Sequence, residues 1–204
     1  MKKIITILPT LNEEKNLNIL FYQLKKINIK MDFIFIDDGS KDRTLEIISK
    51  IKKKNKKYKI FLNKRLKRMG IGKAHKDGLN FAYRNKYDYA ITMDTDLAHH
   101  PKYIPNLLKL IQKKDLIVGS RFIKKNSVPK WSSFRIALSK GSHFFTKLLF
   151  KHDFDATNSF RCYNLKKIKK DFLKYTPSQY DFFFTSVAIL NKKKYKIDEF
   201  PMVV

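Results

Sequence analysis

Two acidic pairs stand directly behind apolar runs in this sequence, a position from which carboxylates can do chemistry. Asp94 and Asp96 flank Thr95 after the run YAITM, so two carboxylates can reach toward one cation. Mg²⁺ or Mn²⁺ favours one or two carboxylates completed by phosphate oxygens and water, which suits a cation shared with a nucleotide diphosphate. Alone, the same pattern also describes a solvated turn that caps a helix. Asp37 and Asp38 supply the company: they follow FIFI, and Gly39, Ser40, Asp42 and Thr44 then open a helix. Ser40 or Asp42 suits the cap of that helix, while Asp37 and Asp38 can accept hydrogen bonds from a base or a ribose. A third polar cluster, Pro9-Thr10-Leu11-Asn12-Glu13, closes the first apolar run. On the cationic side, Arg121 follows the fifth run in GSRF and Arg135 lies in WSSFRIALS. Guanidinium groups bind phosphate oxygens in pairs and keep their charge.

The elements that must position these residues are legible as a rhythm. Short β-branched runs at 4–8, 33–37, 58–62, 89–94 and 115–120 alternate with amphipathic stretches near 15–27, 42–54, 72–85 and 102–113. This alternation predicts an α/β fold with a mostly parallel sheet covered by helices on both faces. In such sheets ligands bind beyond the carboxyl ends of the strands, which is where the acidic pairs fall. After Ser120 the rhythm stops. A basic segment with Pro129 and Trp131 leads to helical patterns near 134–150, 165–175 and 180–192, and a strand-like piece at 196–203 follows. The expectation is one domain over 1–204, with 1–120 as the nucleotide-binding half and 121–204 as the acceptor side of the cleft.

Forty-five Lys and Arg against 18 Asp and Glu leave a formal charge of +27, which favours anionic partners: nucleotides, phosphorylated lipids, anionic bilayer surfaces or nucleic acid. Lysine runs such as 52–57 and 192–194 read as solvated faces. Nucleic acid is disfavoured, because no binding motif appears and acidic strand ends would repel a phosphate backbone. A non-catalytic protein of the membrane surface is a further reading. Cys162 is the only cysteine, so no internal disulfide can form and a cytoplasmic location fits. The apolar run that ends at Pro9 is too short for a secretory core. No stretch approaches the ~20 apolar residues of a spanning helix, so membrane contact is expected to be peripheral, at the cytoplasmic face.

Taken in order, PTLNEE, IDDGSKDRT, GIGKAHKDGL, MDTDLAHHP, VGSRF, the segment from Trp131 through Arg135 to Ser139, and DATNSFRCY resemble the family 2 inverting GT-A glycosyltransferases. Within them the chain looks most like the dolichyl-phosphate and polyprenyl-phosphate mannose or glucose synthases. The resemblance implies a GT-A, Rossmann-like nucleotide-diphospho-sugar transferase fold. It also implies inverting, metal-assisted transfer of a hexose from a donor of the GDP-mannose or UDP-glucose type to polyprenyl or dolichyl phosphate. A hydroxyl acceptor in cell-surface polysaccharide or glycolipid synthesis is the alternative, with Asp181 as its base.

By position, the resemblance assigns Pro9, Leu11, Glu13, Ile36 and Asp38 to the base and ribose, with Leu11 where an aromatic is usual. Asp94 and Asp96 match the aspartates around Mg²⁺ or Mn²⁺ and the diphosphate, Asp96 also as a catalytic residue. Arg121 and Arg135, also as catalytic residues, match the acceptor-phosphate site together with Ser139, and Asp181, in Tyr180-Asp181-Phe182, faces the sugar as a further catalytic residue. Ala98 stands where a Gln often helps to hold the metal, which leaves water or His99 as substitutes. In 155–161, Asn158 and Ser159 replace the usual Ser and Gly, and Arg161 meets a phosphate or pairs with Asp155. Lys124, Lys125 and Lys130, in the loop 122–131, suit an anionic lipid head. The implied partners are a nucleotide sugar, a polyprenyl-phosphate or other lipid-linked acceptor and an anionic membrane surface, with room for a separate membrane subunit.

Overall fold

A single mixed sheet carries the site. The computed structural model describes residues 2–124, 127–129, 132–150 and 153–203, with the side chains of Arg135, Leu149 and Phe150 outside that description. Among the described residues the strands are β1 (Ile4–Thr10), β2 (Asp32–Asp37), β3 (Ile60–Lys64), β4 (Tyr89–Thr92), β5 (Leu116–Ser120), β6 (Arg161–Asn164) and β7 (Ile197–Pro201). They pair in the order β3-β2-β1-β4-β6-β5-β7. β1 to β4 are mutually parallel, β5 and β7 are parallel, and β6 alone runs antiparallel between β4 and β5.

Two apolar layers hold the sheet. On one face α1 (Leu17–Lys26), α2 (Thr44–Lys54) and α4 (Ile104–Leu110) pack Leu17, Leu20, Phe21 and Leu24, Ile47, Ile48 and Ile51, and Ile104 and Leu107 against Leu8, Phe33 and Phe35. The α1 positions follow the i, i+3, i+4, i+7 stripe that turns one helical face inward. On the other face α3 (Ile71–Arg84) and α6 (Phe182–Lys192) bury Ala74, Leu79 and Ala82 with Phe182, Phe183, Val187 and Leu190 over Ile5, Ile7 and Ile34. A Cβ added at Gly72 would lie 2.0 Å from the Gln179 carbonyl oxygen, so glycine allows the start of α3 to approach the segment ahead of α6. These two segments form one wall of the cleft described below. The remaining helix, α5 (Ser133–Phe150), follows the basic segment.

Three stretches differ from the sequence expectation. The stretch 165–175 holds a 3₁₀ turn, Lys170–Lys174, instead of an α-helix. Leu165, Ile168 and Phe172 still turn inward, so their helix-like spacing is met by a bent chain. β6 was hidden because it has four residues and begins with an arginine, which reads as a polar loop. The pattern over 102–113 resolves into a 3₁₀ turn, Pro101–Tyr103, and the seven-residue α4, with prolines at both helix starts. No helix among the described residues is long and apolar enough to cross a membrane.

Candidate active site

The parallel strands β1, β2 and β4 end at one edge of the sheet, so the residues after them face a common cleft. A cavity of about 670 Å³ is lined there by Pro9, Leu11, Glu13, Asp38, Asp94 and Asp96, with Arg68 to Ile71, Gln179 and Tyr180 across from them. A second cavity, of about 410 Å³, is lined by Arg121, Ser139, Ser142, Thr157 and Ser159. Ile71, Asp94, Asp96 and Tyr180 line both. The acidic segment after β4 is therefore a wall shared by two compartments.

That segment is held from its flanks and left open at its centre. Ser159 Oγ donates to Asp94 Oδ2 at 2.6 Å, and the Asp94 N–H donates to His99 Nδ1 at 3.0 Å. Asp94 Oδ1 is buried without a hydrogen-bond partner. Asp96 Oδ1 accepts the Ala98 N–H at 3.0 Å, across a turn in which Leu97 takes a φ of 69°. That left-handed conformation is uncommon for a leucine and belongs with tightly determined sites. Burial holds the Glu13 carboxyl above its ordinary pKa, with the charges of Asp96 and Asp94 adding to the effect and a hydrogen bond from Asn16 opposing it. Negative charge thus gathers on one wall of the cleft.

The tip of β2 is built differently. Asp38 Oδ1 accepts from Arg65 Nη1 at 2.7 Å and from the Met69 N–H at 2.8 Å, while Oδ2 accepts the Gly70 N–H at 2.9 Å. Arg65 is buried and also reaches Asp77 at 2.6 Å. Asp37 is fully buried and accepts the N–H groups of Gly39 and Ser40 and the Ser40 hydroxyl, which closes a turn around Gly39 at a φ of 90°. Asp38 lines the first cavity but also fastens the segment 65–70, and Asp37 is spent on its turn. Ile36 lies wholly in the core and lines neither cavity, unlike Pro9, Leu11 and Glu13.

Among the cations, Arg121 reaches the second cavity as a clamped group. Its Nε and Nη2 donate to the buried Asp155 at 2.8 and 2.7 Å, and Nη2 also donates to Thr157 Oγ1 at 2.6 Å. Burial alone would lower its pKa, but the Asp155 hydrogen bonds and charge more than offset this and raise it. Ser139, on α5, lines the same cavity, whereas the Arg135 side chain lies outside the described residues.

Arg161 neither meets a phosphate nor pairs with Asp155. It is fully buried and donates to the carbonyls of Ala156, Asn158 and Phe183 and to the hydroxyls of Tyr163 and Ser186. Its role is to tie β6 to α6. Asp181 lines neither cavity, and its neighbour Tyr180 takes that place in both.

Residues 5–173 match the family described as Glycosyl transferase family 2, most of the chain and every strand tip at the cleft. The chain belongs to this family. As a family 2 member it is 34% identical over 143 residues to the dolichol-phosphate mannosyltransferase of Pyrococcus furiosus, a match that covers 69% of this chain and 39% of that one. It is 26% identical over 171 residues to the polyprenol monophosphomannose synthase of Mycolicibacterium smegmatis, covering 83% of this chain and 64% of the relative. The chain therefore spans less than two thirds of the length of these relatives. The fold is shared with TarS 1–349 of S. aureus at a TM-score of 0.63 and 17% identity, over 98% of this chain and 60% of that one. It is also shared with a mannosyltransferase of Pyrobaculum calidifontis, solved with GDP-Man and Mn²⁺, at a TM-score of 0.59 and 14% identity, over 99% and 55%. This family 2 chain thus has a GT-A fold.

The residues of this family 2 site fit a divalent cation held jointly with a diphosphate. Asp94 Oδ1 is oriented and unpartnered, Asp96 stands beside it, and crowded carboxylates gain from a cation. Among the described residues no three His, Cys, Asp or Glu groups are placed to hold an ion unaided, so ligand oxygens and water would have to complete the shell. His99 is not a substitute for the missing glutamine. Its Nδ1 accepts the Asp94 N–H, so the neutral ring carries its proton on Nε2 and has no lone pair left for a metal. The sequence reading missed Ser159 and Tyr180 as parts of the cleft. The signal for Ser159 was present, since it replaces a glycine that could make no such hydrogen bond.

Proposed function

We propose that the chain transfers a hexose from a nucleoside diphosphate sugar of the GDP-mannose or UDP-glucose type to a polyprenyl or dolichyl phosphate, with inversion. The observation that carries this reading is the pair of cavities joined along Asp94 and Asp96. The first accommodates the donor: Pro9, Leu11, Glu13 and Asp38 surround the nucleoside, and the diphosphate extends toward the tip of β4. Mg²⁺ or Mn²⁺, held there by Asp94 and Asp96, would stabilise the charge that develops on the departing nucleoside diphosphate. The second cavity accommodates the acceptor phosphate, with the clamped Arg121 supplying a fixed cation and Ser139 and Ser142 hydroxyl donors. Attack from that side on the anomeric carbon, opposite the leaving group, inverts its configuration.

An acceptor phosphate is already an anion and needs no strong general base. This agrees with Asp181, the base that a hydroxyl acceptor would require, lying outside both cavities. The names of the two relatives, a dolichol-phosphate mannosyltransferase and a polyprenol monophosphomannose synthase, support the same acceptor class. With such an acceptor the chain works at a membrane surface, at the cytoplasmic face where nucleotide sugars are supplied. The test is incubation with GDP-mannose or UDP-glucose, Mn²⁺ and a short polyprenyl phosphate. The expected product is a polyprenyl phosphosugar of inverted anomeric configuration by NMR, and turnover confined to hydroxyl acceptors would contradict the proposal.

A further inference from the structure

The second cavity is assembled from two elements that must be held together. Arg121 reaches it from the tip of β5, while Ser139 and Ser142 reach it from α5. Among the described side chains of α5, those turned inward are Ile136, Ser139, His143 and Thr146, a stripe at i, i+3, i+7 and i+10. Three of these four are polar, so the face that seats the helix gives it little apolar burial.

One contact on that face is specific. The His143 ring stacks on the Phe122 ring, with centroids 4.3 Å apart and planes 21° from parallel. Phe122 follows Arg121 in the chain, and the Arg121 guanidinium carbon lies 5.5 Å from the centre of the same Phe122 ring, within the range at which a cation is attracted to an aromatic face. His143 stands about one helical turn beyond Ser139 and directly after Ser142. Its Nδ1 is buried and has no hydrogen-bond partner among the described residues, so the ring is held by its face. Burial holds the His143 pKa below the ordinary 6.5, with Asp155 and Asp153 opposing and Lys147 and Arg121 adding to the effect. The stacked ring is therefore uncharged near neutral pH and can lie close to Arg121 without repelling it.

We infer that His143 is a positioning residue: its stack on Phe122 latches α5 to the tip of β5 and so sets Ser139 and Ser142 at a fixed distance from Arg121. Without the latch both halves of the cavity persist, but their donors no longer converge on one phosphate. The service to acceptor binding rests on the reading of this cavity as the acceptor-phosphate site, whereas the latch itself does not.

The test compares the parent with His143→Ala, His143→Phe, Phe122→Ala and the double variant His143→Ala/Phe122→Ala. Trypsin cleavage after Lys140 and Lys147, both exposed on α5, reports by mass spectrometry whether the helix is seated and needs no turnover. Cleavage should be about fivefold faster in either alanine variant, no faster again in the double variant, and at the parent rate in His143→Phe, which keeps a stacking ring. With GDP-mannose or UDP-glucose, Mn²⁺ and a short polyprenyl phosphate, the acceptor KM should rise about fivefold in His143→Ala and return in His143→Phe. The melting shift given by nucleotide and Mn²⁺ should stay that of the parent in both. Parental protection of α5 in His143→Ala would overturn the latch, as would alanine effects that simply add in the double variant. Faster cleavage with an unaltered acceptor KM would overturn the positioning role. The expected cleavage pattern in a chain that transfers nothing to polyprenyl phosphate would leave the latch standing and remove only the acceptor assignment.

Discussion

The carboxylates after β2 and after β4 sit at the same edge of one sheet and answer to opposite requirements. After β2, Asp38 is engaged by a buried guanidinium and two backbone N–H groups, and Asp37 by its own turn. After β4, Asp94 receives one hydroxyl and keeps a buried oxygen without a partner, and the charges of Asp94 and Asp96 both bear on the nearby Glu13 carboxyl. A satisfied carboxylate holds structure together, whereas an unsatisfied one in a cleft stores an affinity for something that must arrive. The difference between the two tips lies in the supply of partners.

The comparison can be broken most forcefully at the β2 tip. Asp38→Ala would strip Arg65 and the N–H groups of Met69 and Gly70 of their acceptor, and breaking a buried pair in this way costs about 3–5 kcal/mol. Urea denaturation should show that loss, and a change below about 1 kcal/mol would mean the two tips are alike.

Ser159→Gly is a subtler test at the β4 tip. It removes the hydrogen bond that orients Asp94, and bonds to charged groups contribute about 1.5–3 kcal/mol. Mn²⁺ affinity measured with nucleotide present should fall about tenfold or more while the fold is retained. Unchanged affinity would show that Asp94 needs no orientation.

The smallest effect concerns Glu199, on β7, whose side chain accepts the Asp155 N–H. Burial pushes its carboxyl up to about 6 from an ordinary value of 4.5, while that N–H and a Ser120 hydrogen bond oppose the rise. Because the folded pKa is the higher one, stability is full below about 4.5 and is lost as pH rises through about 6. Glu199→Gln should flatten stability across that window and exceed the parent near neutral pH by about 1 kcal/mol, a figure reduced because the side chain is only partly buried. A variant that melts in parallel with the parent at every pH would remove burial as the cause.

What the sequence could and could not reveal follows from distance along the chain. Apolar runs such as FIFI declare a strand buried on both faces, and the polar residues that follow them declare the cleft. The partners that separate Asp38 from Asp94 do not declare themselves, since Arg65 lies 27 residues beyond the first and Ser159 65 residues beyond the second. Arg161 illustrates the same limit. A cation in a polar motif reads as a ligand-binding group, yet neutral carbonyls and hydroxyls from β6, α6 and the preceding turn enclose it. Tyr180 and Asp181 differ by one position at the start of α6, and only the packing of that helix decides which of them enters the cleft.

The central claim is that the β4 tip binds a nucleoside diphosphate through a divalent cation. Melting curves of the parent and of Asp94→Asn, taken with GDP or UDP and with or without Mn²⁺, test it most directly. At ligand concentrations near a hundredfold above Kd the parent should gain about 2.7 kcal/mol when nucleotide and Mn²⁺ are present together, and the variant should lose that joint gain. A nucleotide shift of equal size in both proteins, or one indifferent to Mn²⁺, would contradict the claim.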